Sequence, residues 1–114
     1  MRDLVKSFKA LSDPIRIRIL KLLEKKTMCV CELTSVLKIG QSNMSHHLRI
    51  LKEAGLINDK RNGLWVDYEL SHGEYNKYAT EILKTISKVL NDNPVVKEDL
   101  KIAAKVNREK MCKK

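Results

Sequence analysis

Cys29 and Cys31, two cysteines separated by one residue, are the side chains of this 114-residue sequence best suited to a soft metal ion. Thiolates favour ions such as As(III), Sb(III), Cd(II) and Pb(II). The apolar spacing around the pair predicts a helix over residues 27–38, and the start of a helix favours the thiolate form. Residues two apart in a regular helix point about 200° away from each other, so both sulfurs reach one ion only if the first turn unwinds. The alternative is a pair of reduced thiols, one buried and one exposed.

A second distinctive set of side chains lies on one face of segment 41–55, which we predict to be a helix ending at Gly55. Met44, Leu48 and Leu51 form its apolar stripe. The other face carries short or planar hydrogen-bonding groups, and such groups near a helix N-terminus reach base edges in the major groove of DNA. The alternative is a polar surface helix with a serine-rich start. The candidate DNA-binding residues of this helix are Gln41, Ser42, Asn43, Ser45, His46 and Arg49.

A β-hairpin is predicted directly after this helix. Segments 56–60 and 64–70 look like strands, and Asn62-Gly63 between them is a strong hairpin signal. Lys60 and Arg61 lie beside the tip, where they would meet the phosphate backbone or the minor groove as a DNA-binding wing. The alternative is a solvated hairpin tip, in which Lys and Arg are common.

The remaining elements position these two surfaces. The apolar spacing predicts an amphipathic helix over residues 1–11 and a core helix over 14–25, with Asp13 as its N-cap. The helices over 27–38 and 41–55, joined by a tight turn, make a helix-turn-helix. The predicted fold class is therefore mainly α with a small β-hairpin, a winged helix-turn-helix.

The last third of the chain predicts an interface between subunits. Ser71 and Glu74 have capping-box spacing, which predicts a helix from there to residue 90. Its apolar spacing is close to a heptad and longer than a small domain needs for its own core, so we expect it to be shared in a homodimer. The DNA-binding and dimerisation domain is placed at 1–92, and 93–114 is expected to be a C-terminal helix or a basic tail.

Charge and composition restrict the partners. The formal net charge of +9 indicates a polyanionic partner, and the low aromatic content of 4% fits a small helical domain that needs a second subunit. No apolar run is long enough for a membrane span, and no secretory signal pattern is present. We expect a cytoplasmic protein whose cysteines are thiols or metal ligands rather than a disulfide framework.

The sequence offers little for an enzyme. It contains no nucleophile–base arrangement, no glycine-rich phosphate loop and no paired-carboxylate site. Acidic residues such as Glu32, Asp59 and Asp67 have ordinary surface or hairpin explanations. A structural interaction module would leave the polar face of residues 42–49 unexplained.

Four segments together resemble the ArsR/SmtB family of metal- and metalloid-responsive repressors. They are Ala10–Arg16, Gln41–Leu51, Gly55–Ile57 and Trp65–Tyr68. The resemblance implies a winged-helix homodimer that represses transcription from a double-stranded DNA operator and releases the DNA when an inducer binds. It also implies that the residues facing the bases are Gln41, Ser42, Ser45 and His46.

The segment Met28–Leu33 resembles the Cys-Val-Cys metal box of that family. Arsenite-sensing members often have a third Cys at the position that Thr34 occupies in this sequence. Trigonal thiolate coordination needs a third sulfur, and Cys112 is the remaining cysteine of the sequence. We therefore hypothesise that Cys112 of the same or the partner chain joins Cys29 and Cys31 in a metal site. The alternative is a tail thiol without a role.

Ligation at the cysteines would distort the helix that supports the recognition helix, which couples ion binding to DNA release. No cofactor is obligatory in this scheme, and the inducer is As(III)/Sb(III) or Cd(II)/Pb(II). A second scheme makes the cysteines a redox switch, with Cys29 or Cys31 pairing with Cys112 or across the dimer. A third keeps DNA binding with another signal or none.

Overall fold

The computed structural model of the chain describes residues 1–106, in which six helices pack with a three-stranded antiparallel sheet. The elements in chain order are α1 (Arg2–Leu11), α2 (Pro14–Leu23), β1 (Met28–Cys29), α3 (Val30–Leu37), α4 (Gln41–Glu53), β2 (Ile57–Asn62), β3 (Trp65–Leu70), α5 (Ala79–Ser87) and α6 (Pro94–Ala103). This architecture confirms the predicted winged helix-turn-helix. No helix within residues 1–106 is long and apolar enough to cross a bilayer.

The corner between α1 and α2 forms as predicted. The Asp13 carboxylate accepts hydrogen bonds from the backbone N–H groups of Ile15 at 2.8 Å and Arg16 at 3.3 Å. Pro14 takes the first helical position, where its missing N–H removes no helix hydrogen bond. The corner thereby fixes the direction in which α2 enters the core.

Helices α3 and α4 form the helix-turn-helix. Lys38 ends α3 in the left-handed region with φ 56°, and Gly40 is the N-cap of α4. Met44, Leu48 and Leu51 are fully buried in the core, so the apolar stripe of α4 was predicted correctly. The opposite face of α4 is consequently left on the surface.

The predicted helix over 27–38 is wrong in its first turn. Met28 and Cys29 form strand β1, which pairs with Tyr68 and Asp67 of β3, and α3 begins only at Val30. The sheet therefore has the order β1-β3-β2 rather than being a two-stranded hairpin. Ladder hydrogen bonds to β3 fix the extended backbone here, and a two-residue strand leaves no periodicity in the sequence.

The predicted helix from Ser71 to residue 90 is also wrong at both ends, because α5 spans only Ala79–Ser87. The hydroxyl of Ser71 donates to the carbonyl of Gly55 at 2.7 Å instead of capping a helix. The side chain of Asn76 donates to Ser7 and Ala54. Tertiary hydrogen bonds thus hold segment 71–78 outside any helix.

Helix α6 packs on the body of the domain. Its cap Asn93 accepts from two backbone N–H groups, and Asp99 forms a two-point ion pair with Arg18 of α2, with both N···O distances 2.8 Å. Lys26 adds a hydrogen bond to the carbonyl of Ala103 at 2.9 Å. Of the two alternatives for the C-terminal segment, the helix is observed over this range, whereas Cys112 lies outside the described residues.

The turn at Gly55 provides a stability test. Gly55 has φ 77°, and a Cβ on it would lie 2.7 Å from Cβ of Asn76, whereas Gly63 has φ 63° and open space around it. We expect Gly55→Ala to lower the free energy of unfolding by about 3 kcal/mol or more, since a clash adds to backbone strain. Gly63→Ala should lower it by roughly 1–2 kcal/mol from strain alone. Urea unfolding followed by circular dichroism measures both, and equal losses would contradict the clash.

Candidate nucleic-acid interface and cysteine cleft

Helix α4 presents its polar side chains to solvent. Gln41, Ser42, Asn43, Ser45, His46 and Arg49 are all exposed, while the apolar residues between them are buried. Helical periodicity produces this separation, because the buried positions recur every three to four residues. The structure therefore brings all six candidate DNA-binding residues of this helix onto one accessible surface.

The charged side chain of Arg49 contacts two neighbours on the exposed face of α4. Nη2 of Arg49 lies 3.0 Å from Nδ1 of His46, and Nε of Arg49 lies 3.9 Å from the Glu53 carboxylate. The N-cap of α4 is Gly40, which has no side chain to occupy the first backbone N–H groups. The start of this helix is therefore suited to an anion such as a DNA phosphate.

Strands β2 and β3 form the predicted wing. Lys60 and Arg61 are exposed near the tip, and Nζ of Lys60 lies 3.2 Å from the Glu69 carboxylate. Gly63 has φ 63° in the turn, and the side chain of Leu64 beside it is exposed. The wing therefore presents cations at its outer end.

Cys29 and Cys31 lie on different elements. Cys29 is buried in β1 as the N-cap of α3, and its backbone N–H donates to the Glu32 carboxylate at 3.1 Å. Cys31 is half-buried in the first turn of α3. The helical angle between residues two apart does not apply to this pair, because Cys29 precedes the helix. The expectation that a shared ion must unwind a helical turn is therefore wrong.

Both cysteines line a cleft of about 480 Å³ that opens between the start of α3, the first residue of α4 and the wing. Burial and the nearby carboxylate of Asp59 raise the pKa of Tyr68, whose side chain forms part of the wall. The lining residues are Cys29, Val30, Cys31, Thr34, Gln41, Arg61, Leu64, Trp65, Val66 and Tyr68. The cleft is therefore lined both by Gln41 of α4 and by residues of the wing.

The cleft contains few side chains that could bind a metal ion, and these favour soft ions. Two sulfurs line it, of which that of Cys31 is held in a disulfide and can bind an ion only after reduction. Thr34 offers a hydroxyl that donates to the carbonyl of Cys31 at 2.9 Å. Within residues 1–106 no group of three or more His, Cys, Asp or Glu side chains is arranged to hold a metal ion. A trigonal thiolate site would need a sulfur from elsewhere, and Cys112 lies outside the described range.

Sequence reasoning missed the cleft itself. The strand signal of β3 was visible, but its pairing with Met28 and Cys29 was not, because β1 has only two residues. It also missed a contact of 3.1 Å between Nη1 of Arg16 and Nδ1 of His47, which joins α2 to α4. Both features depend on residues far apart in the chain.

Comparison with known proteins identifies the family. A sequence profile of bacterial regulatory proteins of the arsR family matches residues 13–59, from the cap of α2 into β2. An uncharacterized HTH-type transcriptional regulator of Methanocaldococcus jannaschii is 41% identical over 83 residues, which cover 72% of this chain and 89% of that protein. The chain belongs to the ArsR family.

Two further relatives agree with this assignment. The arsenical resistance operon repressor of Bacillus subtilis is 38% identical over 84 residues, covering 73% of this chain and 80% of that protein. The solved structure of HlyU from Vibrio cholerae superimposes with a TM-score of 0.66 at 29% identity, covering 78% of this chain and 92% of that one. This ArsR-family protein is a DNA-binding transcriptional regulator of the winged helix-turn-helix kind, and not an enzyme.

Two neighbouring residues of α4 test the separation of its faces. Met44→Ala should lower the free energy of unfolding by about 2–5 kcal/mol, because Met44 is fully buried. Ser45→Ala, on the exposed face, should change stability by less than about 0.5 kcal/mol yet weaken binding to DNA from the upstream region of its own gene. Urea unfolding and fluorescence anisotropy measure the two effects. If Ser45→Ala bound DNA as tightly as the parent, the prediction that the exposed face of α4 contacts DNA would be contradicted.

Proposed function

We propose that this protein is a homodimeric transcriptional repressor that binds operator DNA through α4 and the wing, and releases it when a thiophilic ion binds Cys29 and Cys31. The observation that carries the proposal is the shared cleft, since both cysteines, Gln41 and Arg61 line it together. An ion held by the sulfurs would therefore occupy the same cleft that both proposed DNA-contacting elements line.

The proposed DNA surface divides its contacts by chemistry. Amide, hydroxyl and imidazole groups on α4 would reach base edges in the major groove, where they distinguish base pairs. Lys60 and Arg61 on the wing would contact phosphates, which position the protein without reading sequence. The net charge of +9 supports a polyanionic partner.

Strand pairing provides a path from the cysteines to the wing. Cys29 pairs with Asp67 in the β1–β3 ladder, and the Asp67 carboxylate accepts a hydrogen bond from Asn62 at 3.0 Å. Asn62 ends β2 at the tip of the wing. Displacement of Cys29 by a ligand would thus disturb the wing through two consecutive contacts. Such a ligand releases DNA only if it binds the DNA-free conformation more tightly.

The chemistry of the cleft favours a soft, thiophilic effector. Two sulfurs suit As(III), Sb(III), Cd(II) or Pb(II), whereas hard ions prefer oxygen ligands. The name of the B. subtilis relative, an arsenical resistance operon repressor, supports arsenic among these. Cys112 is the proposed third sulfur, supplied by the same or the partner chain.

The dimer is proposed on an exposed apolar face of α1. Phe8 is 60% exposed and Val5 is 43% exposed, and they lie three residues apart on the same side of that helix. The subunit interface was predicted on the apolar stripe of residues 71–90. Part of that stripe faces inward instead, because Ala79, Leu83 and Ile86 are buried in the protomer's own core. A second copy covering α1 would bury the aromatic ring and present two recognition helices to two half-sites.

The effector is tested by adding As(III) or Cd(II) to the reduced protein on DNA from its own upstream region, with fluorescence anisotropy as readout. We expect the ion to release DNA from the parent and not from Cys29→Ser or Cys31→Ser, because each variant removes a soft ligand. Thr34→Cys adds a sulfur to the cleft and should lower the As(III) concentration that releases DNA.

Further arms of this experiment separate the alternatives. A Cys112→Ser protein that binds As(III) as tightly as the parent would exclude Cys112 as a ligand. Release by an oxidant and by none of the ions would replace the metal site by a redox switch. Tight binding that neither treatment disturbs would leave a repressor that answers another signal.

The dimer is tested by Phe8→Glu. A carboxylate on the proposed interface should shift the protein from dimer to monomer in sedimentation experiments and weaken operator binding, because burial of an unpaired charge is costly. Lys6→Glu is the control, since it places a carboxylate on the same helix at another exposed position and changes the net charge by more than Phe8→Glu does. Dimers of equal stability in both variants would place the interface elsewhere.

A further inference from the structure

One side chain, that of Arg16, joins three helices beside the middle of the recognition helix. Nε of Arg16 donates to the carbonyl of Ala10 at 2.6 Å, and Nη2 donates to the carbonyl of Lys9 at 3.3 Å. Both carbonyls belong to the last turn of α1. The third nitrogen, Nη1, lies 3.1 Å from Nδ1 of His47 in α4. The guanidinium of α2 therefore ties the end of α1 to the recognition helix.

The chemistry of this contact fixes the protonation state of His47. A guanidinium can only donate hydrogen bonds and stays charged at any working pH, so Nδ1 of His47 must accept. An imidazole accepts only when it is neutral. Protonation of His47 would replace a hydrogen bond by two cations at the same distance.

We propose that Arg16 and the neutral imidazole of His47 are positioning residues that hold α4 in its DNA-binding orientation, so that protonation of His47 weakens operator binding. The proposal rests on the DNA surface proposed above. It gives His47, which is half-buried, a role distinct from that of the exposed His46 beside it.

The groups around His47 support the neutral form. Burial lowers the pKa of His47 below its ordinary value; Asp13, in the turn before α2, opposes this, and Arg16 and His46 add to the lowering. Helix α1 faces the cluster with the two carbonyls already described. Because the pKa is lowered on folding, the contact is fully present above the ordinary pKa of histidine and is lost as the pH falls through the lowered one.

The expected change of DNA affinity on acidification is opposite in sign to a simple charge effect. Protonation of an exposed histidine adds positive charge, which tightens binding to DNA phosphates. Loss of the contact at His47 instead weakens binding, because α4 is no longer held against α1 and α2. The sign of the pH dependence therefore distinguishes the two mechanisms.

The experiment measures operator affinity by anisotropy at constant ionic strength from about pH 7.5 to about pH 5.5. We expect the parent to lose up to about tenfold in affinity for each pH unit between the pKa of His47 in the free protein and its lower pKa in the complex. His47→Gln offers Arg16 an amide oxygen at every pH, so its affinity should stay level or tighten on acidification. Arg16→Gln should bind weakly throughout, without the loss on acidification.

His46→Gln is the matched control, because it changes the neighbouring histidine and leaves the contact intact. It should still lose affinity on acidification. Parallel pH profiles of the parent and His47→Gln would overturn the proposal, as would tighter binding of the parent at low pH. Absence of binding at about pH 7.5 would instead refute the proposed DNA surface.

A second measurement uses only the unmodified protein. Since the operator would bind the form with neutral His47, binding near its pKa should release protons, whereas phosphate contacts at protonated histidines would take protons up. Calorimetry in two buffers of different ionisation enthalpy gives the sign. Net proton uptake by the parent would overturn the proposal even if His47→Gln failed to fold.

Discussion

The buried amide of Asn76 holds the DNA-binding helix to the rest of the domain. Its Nδ2 donates to the hydroxyl of Ser7 in α1 at 2.7 Å and to the carbonyl of Ala54 at the end of α4 at 2.9 Å. Its Oδ1 accepts from the N–H of Tyr78, which leads into α5. Loss of this side chain would leave several buried polar groups unsatisfied, at about 1–3 kcal/mol each. The close approach of Asn76 also explains why position 55 is glycine.

The recognition helix is therefore fixed at its end by Asn76, along its length by an apolar stripe in the core, and on one side by the contact between Arg16 and His47. These contacts all lie on the inner face of α4. The outer face can then carry side chains chosen for DNA without a penalty in packing. Rigid support of this kind is what a surface that reads base edges requires.

The pairing of β1 with β3 links the cysteine cleft to the wing. Because Cys29 belongs to β1, it is connected by backbone hydrogen bonds to the strand that forms the wing. Gln41 and Arg61 line the same cleft from α4 and from the wing. A ligand at the cysteines would need no long path to affect DNA binding, since both elements proposed to contact DNA line the cleft. The contact between Arg16 and His47 lies on other elements and would respond to protons instead.

The helix-turn-helix, its exposed polar face and the basic wing could be predicted from the sequence, because helical periodicity, the cap at Asp13 and the turn at Gly63 are local signals. The sequence could not determine where residues 27–38 change from strand to helix, or that segment 71–78 stays outside a helix. Those outcomes depend on pairing with β3 and on hydrogen bonds of Asn76, which join residues distant in the chain. That the cysteines share a cleft with α4 and the wing is therefore evident only once the chain is folded.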